Sequence, residues 1–229
     1  LACLEAERAN VEASLRWFVA QRATERGVRL GTALGDFWTI RGELSEGHSQ
    51  LRPLLELADA CPPQDAWEAW KTTLVHAASL AFFAGDLAEA QELSERRLAL
   101  CRERRDQAGV EHTLSFLGFL ARDRGDYTAA RALLEESLAM GEASGNSTAI
   151  ARSVDRLGTV AHAQGDFVLA RTQYERALAI WRTGHDAGYL IWTLCNLGRL
   201  ALDAGDYTDA RSRFAEGLSL HRGLSDRQA

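Results

Sequence analysis

A glycine-aspartate pair returns every 40 residues along this chain, at Gly85-Asp86, Gly125-Asp126, Gly165-Asp166 and Gly205-Asp206. A fixed period of that length marks a stack of like supersecondary units, each too small to bury its own apolar face. The residues that follow repeat as well. Asp126-Tyr127-Thr128-Ala129-Ala130-Arg131 is matched by Asp166-Phe167-Val168-Leu169-Ala170-Arg171 and Asp206-Tyr207-Thr208-Asp209-Ala210-Arg211, and more loosely by Asp86-Leu87-Ala88-Glu89-Ala90-Gln91.

Glycine reaches the left-handed conformation that ends a helix, and aspartate caps the free amides that start the next, so each unit reads as a helical hairpin hinged at the dipeptide. The aromatic or leucine after it, Leu87, Tyr127, Phe167 or Tyr207, is placed to pack across the turn. Seven residues before each hinge glycine stands a small residue, Ala78, Gly118, Gly158 or Gly198, and Ala90, Ala130, Ala170 and Ala210 answer it on the second helix. Small side chains there let the two helices approach closely, and a larger one would overpack at a cost of about 1–3 kcal/mol.

The spacing predicts first helices over 65–84, 107–124, 147–164 and 187–204, and second helices over 86–104, 126–143, 166–183 and 206–221. Upstream the period loosens. Arg41-Gly42-Glu43-Leu44-Ser45-Glu46-Gly47 reads as the hinge between helices over 25–41 and 43–58, with Gly35 in the small position, and Glu5 to Ala20 carries the apolar periodicity of a leading helix. The expectation is a single array over 1–229: a leading helix within 1–24, then hairpins over 25–58, 65–104, 107–143, 147–183 and 187–221. The stretch Asp59 to Gln64, with Pro62 and Pro63, is the one strong linker and could bend the array.

Composition narrows the function classes. Hydrophobic residues at 46% and charged residues at 25% supply both a core and a wetted surface, which argues against disorder. The formal charge is -6, with Lys plus Arg 26 against Asp plus Glu 32, so no direct nucleic-acid contact is expected; Arg102, Arg104 and Arg105 read as the solvated end of a helix. Cys3, Cys61, Cys101 and Cys195 lack CxxC spacing and the six histidines are dispersed, so neither metal nor cofactor is expected. No run of 18 apolar residues and no signal peptide is visible, which gives a cytoplasmic expectation without a membrane partner. The absence of an initial Met reads as a piece of something longer.

Catalysis is not expected. A meeting of Cys195 with His162 would lack an orienting third group and an oxyanion site, while Glu135-Glu136 and Asp203-Asp206 read as helix-surface and capping acids.

These residues resemble the tetratricopeptide repeat family, whose unit carries Trp-x2-Leu-Gly in its first helix and Tyr-x2-Ala in its second. Leu157-Gly158 and Tyr207-x2-Ala210 carry the likeness, whereas the period is 40 rather than 34 and Leu114, Val154 or Leu194 replaces the leading Trp. The resemblance implies an all-α fold, a right-handed superhelical α-solenoid of antiparallel hairpins. Ala9 to Trp17 and Phe37 to Gly47 also resemble segments of the C-terminal sensor repeats of bacterial signal-transduction (STAND) ATPases and large LuxR-type transcriptional regulators. No GxxxxGK[ST] phosphate loop is present, so what carries over is a sensory or scaffolding role.

The resemblance further implies that first helices line a concave groove. Its inward positions fall on His112, Ser115, Phe119 and Arg122; on Arg152, Asp155, Thr159 and His162; and on Trp192, Cys195, Arg199 and Asp203. Asn196 stands where peptide-binding members hold a peptide backbone, while His76, Phe116 and Arg156 occupy that place in earlier hairpins. The expected protein-binding groove therefore comprises Arg152, Arg156, Trp192, Asn196, Arg199, His112, Phe116, Phe119 and Arg122. Against that reading, Trp192 could pack between repeats and Arg152 could pair with Asp155, while Trp17, Trp38, Trp67, Trp70 and Trp181 read as packing residues. The expected partner is a protein or peptide segment or another domain of the parent protein. A small-molecule effector is the alternative and a self-associating scaffold the third reading; homo-oligomerisation is left open.

Overall fold

In a computed structural model of the chain, which describes residues 7–184 and 186–225, the hinge glycines all take the left-handed conformation. Cys3, His185, the start of the expected leading helix and the tail beyond Ser225 lie outside the described residues. At Gly85, Gly125, Gly165 and Gly205 φ is +87°, +79°, +80° and +78°. A Cβ at any of the four would meet nothing within 4 Å, so conformation and not space requires glycine there.

Each hinge aspartate acts on two helices. Its backbone N–H donates back to the outgoing helix, as from Asp126 to the Ala121 carbonyl at 2.9 Å beside Gly125 to Arg122 at 2.9 Å. Its side chain then accepts from the third residue of the incoming helix: Asp86 from Glu89, Asp126 from Ala129, Asp166 from Leu169 and Asp206 from Asp209, each at 3.0 Å. Such a cap stabilises a helix by about 1 kcal/mol. A second series, not anticipated from the sequence, caps the first helices: Asp106, Asn146 and Asp186 accept from Gly109, Ala149 and Tyr189.

The chain divides into two compact units, 1–104 and 105–229. In the first, α1 (Arg8–Ala20) packs on the hairpin of α2 (Thr24–Arg41) and α3 (Leu44–Ala60), which packs on the hairpin of α4 (Trp67–Phe83) and α5 (Leu87–Glu103). Helix α3 runs two residues beyond the expected 58 and carries Pro53 in its interior, and α4 starts two residues later than expected, so the linker shifts to 61–66. Arg29 and Glu25 of α2 hold that linker by bonds to the carbonyl and amide of Asp65. Glu43 does not cap α3; it pairs instead with Arg8 at 2.8 Å.

One expectation fails here. Gly35 does not admit its own hairpin partner; a Cβ there would lie 2.1 Å from the His76 ring of α4, and the close approach within this hairpin is made by Gly47 against Trp38.

The second unit is more regular. It consists of hairpins α6/α7 (Gln107–Asp123, Tyr127–Ser144), α8/α9 (Ser147–Ala163, Phe167–Thr183) and α10/α11 (Ala187–Asp203, Tyr207–Ser225), each second helix packing on the next first helix. The small positions act as expected: a Cβ at Gly118 would lie 2.6 Å from Leu134, at Gly158 2.8 Å from Tyr174 and at Gly198 2.7 Å from Phe214. Leu114, Val154 and Leu194, standing where Trp leads the resembled unit, are buried. Ala161, Tyr174, Leu178, Leu194, Leu197 and Leu200 belong to a core shared by α8, α9 and α10. Of the residues placed to pack across the hinges, Tyr127 joins the α6–α8 core, whereas Tyr207 is 73% exposed. The architecture is thus an all-α solenoid of antiparallel helical hairpins.

Candidate functional site: the first-helix face of the second unit

Side chains about one repeat apart meet across consecutive first helices. Glu111 accepts from Arg152 at 2.8 Å, Ser115 from Arg156 at 2.8 Å, and Asp155 from Asn196 at 3.2 Å; His162 Nε2 lies 2.8 Å from Asp203 Oδ2. This ladder ties α6 to α8 and α8 to α10. It also takes up several groups that the sequence reading offered to a partner.

Arg152 is buried and pairs with Glu111, so neither a groove contact nor a pairing with Asp155 describes it. Ser137 donates to Glu111 and meets Ser153 at 2.9 Å, completing a polar cluster inside the stack. Breaking one side of such a pair costs about 3–5 kcal/mol, because the remaining charge stays buried. Asn196 is likewise committed: with Thr193, which donates at 2.7 Å, it holds the buried Asp155 carboxylate. Burial pushes the Asp155 carboxyl up to about 6.

Half-buried Arg156 donates to Ser115 and lies 5.3 Å from the centre of the Phe119 ring and 5.9 Å from that of Phe116. Phe116 and Phe119 stack at 6.3 Å. Arg122 approaches Phe119 at 4.6 Å and pairs with Asp123 at 2.8 Å. Burial lowers the Arg156 guanidinium to about 10, which leaves it charged at neutral pH. His112 is half-buried on α6 and is not part of the cleft described next.

Beside this cluster opens a cleft of about 390 Å³. Arg122 of α6, Thr159 and His162 of α8, Phe167 and Tyr174 of α9, and Trp192, Asn196, Arg199 and Asp203 of α10 line it. Of the expected site residues it gathers Arg122, Trp192, Asn196 and Arg199. Trp192 is 45% exposed, so it is not consumed by packing between repeats. Trp38, Trp70 and Trp181, by contrast, are buried, and Trp17 stays half-exposed on α1. Arg199 is exposed and has no hydrogen-bond or ion-pair partner among the described residues.

Thr159, His162 and Asp203 were legible as inward positions yet were not chosen as site residues; Phe167 and Tyr174 come from the second helix, which a first-helix rule misses. His162 meets Phe167 and Tyr174 edge-on at 5.7 and 6.4 Å and pairs with Asp203, so it does not form a dyad with Cys195. Among the described residues no group of three or more His, Cys, Asp or Glu could hold a metal ion, and no helix is long and apolar enough to cross a membrane.

The tetratricopeptide repeat family model matches residues 72–143 and again 147–222, well over half of the chain. The chain belongs to the tetratricopeptide repeat family. No curated protein matches it in sequence. Among solved structures it is similar to BtubC from P. vanneervenii, with 20% identity and a TM-score of 0.67 over 95% of this chain and 92% of that one. A Rap protein complexed with Competence and Sporulation Factor shares 12% identity with a TM-score of 0.75 over 89% of this chain and 56% of its own. Aspartyl phosphate phosphatase F from Bacillus subtilis shares 11% identity with a TM-score of 0.69 over 97% of this chain and 55% of its own. The chain thus spans little over half the length of the latter two, and at these identities the likeness is one of fold. Tetratricopeptide repeat domains are typically non-catalytic protein-interaction scaffolds, and the 40-residue unit here is a long variant whose first helices carry the hydrogen-bonded ladder.

Proposed function

We propose that this chain is the protein-interaction and regulatory or sensor part of a larger bacterial signalling or transcription regulator, acting in the cytoplasm. It binds a protein segment, or an effector module of its own parent protein, in the cleft on α6 and α8–α10. The observation that carries this reading is the half-exposed Trp192 on the wall of a cleft that buried Tyr174 and partly exposed Phe167 also line. A rigid aromatic anchor beside a cleft is the usual centre of a binding surface. The likeness to STAND ATPase and LuxR-type sensor repeats supports the regulatory setting. Cys61, Cys101 and Cys195 form no disulfide among the described residues, which suits a reducing compartment.

A small-molecule effector is the second reading, favoured by a cleft volume of about 390 Å³, within the range of small-ligand pockets. Phage selection of random dodecamers on the 229-residue chain separates the two. The proposal expects selected peptides whose affinity falls at least about tenfold on Trp192→Ala with circular dichroism unchanged. Unchanged affinity overturns the site. A compound from a metabolite panel that binds stoichiometrically where no peptide does overturns the occupant.

A further inference from the structure

We infer that the cleft on α6 and α8–α10 reads an acidic side chain within the bound segment, taken by Arg199 while a neighbouring apolar side chain lies on Trp192. This rests on the reading of the cleft as a peptide site and adds the chemistry that selects its ligand. The hydrogen-bond inventory leads to it. Asn196, the group best suited to hold a peptide backbone, has its amide committed to the Asp155 carboxylate at 3.2 Å. Arg156 is committed to Ser115 and the Phe116 and Phe119 rings, and Arg122 to Asp123 and Phe119. Asp203 is met by His162. Arg199 alone among the cationic lining residues is exposed and without such a partner among the described residues.

A guanidinium offers a planar fork of donors that matches a carboxylate. With Arg122 paired to Asp123 and Asp203 met by His162, Arg199 is the cationic lining side chain left open to a carboxylate among the described residues, in a chain whose formal charge is -6. The same overall charge disfavours a long acidic partner, because the rest of the surface repels it. One carboxylate beside one apolar residue satisfies both conditions. Trp192 supplies the apolar contact from α10, seven residues before Arg199 and therefore about two turns along the same helix face.

The test uses the 229-residue chain and an immobilised array of dodecamers with Glu, Asp, Gln, Asn or Lys fixed at one central position and random flanks. Glu or Asp peptides should dominate capture. For a captured Glu peptide, Glu→Gln should weaken binding to the wild-type protein about tenfold or more and have little effect on binding to Arg199→Gln. Capture indifferent to charge, or a Glu→Gln penalty that persists on Arg199→Gln, overturns the inference and leaves the peptide site standing. Failure of every dodecamer to bind overturns the peptide reading and this inference with it. Arg199 is exposed, so its variant tests recognition and not folding, and an unchanged circular dichroism spectrum checks that.

Discussion

Replacing Gly158 by alanine should destabilise the chain, although alanine is the better helix former. The exchange alone favours the helix by about 1 kcal/mol. Against it stands contact: the new Cβ would lie 2.8 Å from both Cδ1 and Cε1 of Tyr174 and 3.3 Å from Gln173 Cβ. Tyr174 is 1% exposed and packs with Ala161, Ala170 and Leu194, so the ring can yield only by giving up those contacts. Overpacking of this kind costs about 1–3 kcal/mol, which leaves a net loss near 1 kcal/mol. Gly217 on α11 is the control, because a Cβ there meets Leu194 and Ile191 at ordinary distances of 3.8 and 3.9 Å. Gly217→Ala should therefore gain up to about 1 kcal/mol. Urea midpoints at constant slope give both signs in one experiment. Equal shifts in the same direction would refute the claim that Gly158 is required for close helix approach.

The ladder makes two further predictions. Glu111→Gln should lower stability by about 3–5 kcal/mol, since Arg152 is left buried without its counter-charge, and replacing both residues by apolar ones of similar size should restore most of that loss in the same urea titration. Asp155 titrates from an ordinary 3.8 in the unfolded chain to about 6 when folded, because burial disfavours its charge. Its contribution to stability is full below about pH 4 and is lost as the pH rises through about 6, by about 3 kcal/mol in all. The stability of the wild type relative to Asp155→Asn should accordingly fall between those limits and stay level above them; parallel profiles would contradict the assignment.

The fold was legible because its determinants are local and repeated. A hinge needs glycine at positive φ followed by a capping aspartate, and that pair fixes two helix ends at once, so the observed helices begin and end close to the period's prediction. Gly118, Gly158 and Gly198 declared their close contacts for the same reason. Gly35 misled because its sequence register matches theirs while the ring filling its hollow, His76, comes from the neighbouring hairpin. The site was harder to read. A helical face says which residues point inward, but Arg152, Arg156 and Asn196 are engaged by partners one repeat away. The signal was present in the spacing: Glu111 with Arg152, Ser115 with Arg156 and Asp155 with Asn196 each stand one period plus one residue apart. Such pairs should be discounted before inward polar residues are offered to a ligand, and Trp192 and Arg199 are what remains.

Hydrogen exchange of the 229-residue chain, with and without a dodecamer selected on it, tests the central claim most directly. Protection should concentrate in α8 and α10, whose side chains build the cleft walls around Trp192 and Arg199. Protection confined to α7 and α11, or to the first unit, would show that the partner binds elsewhere and would contradict the account.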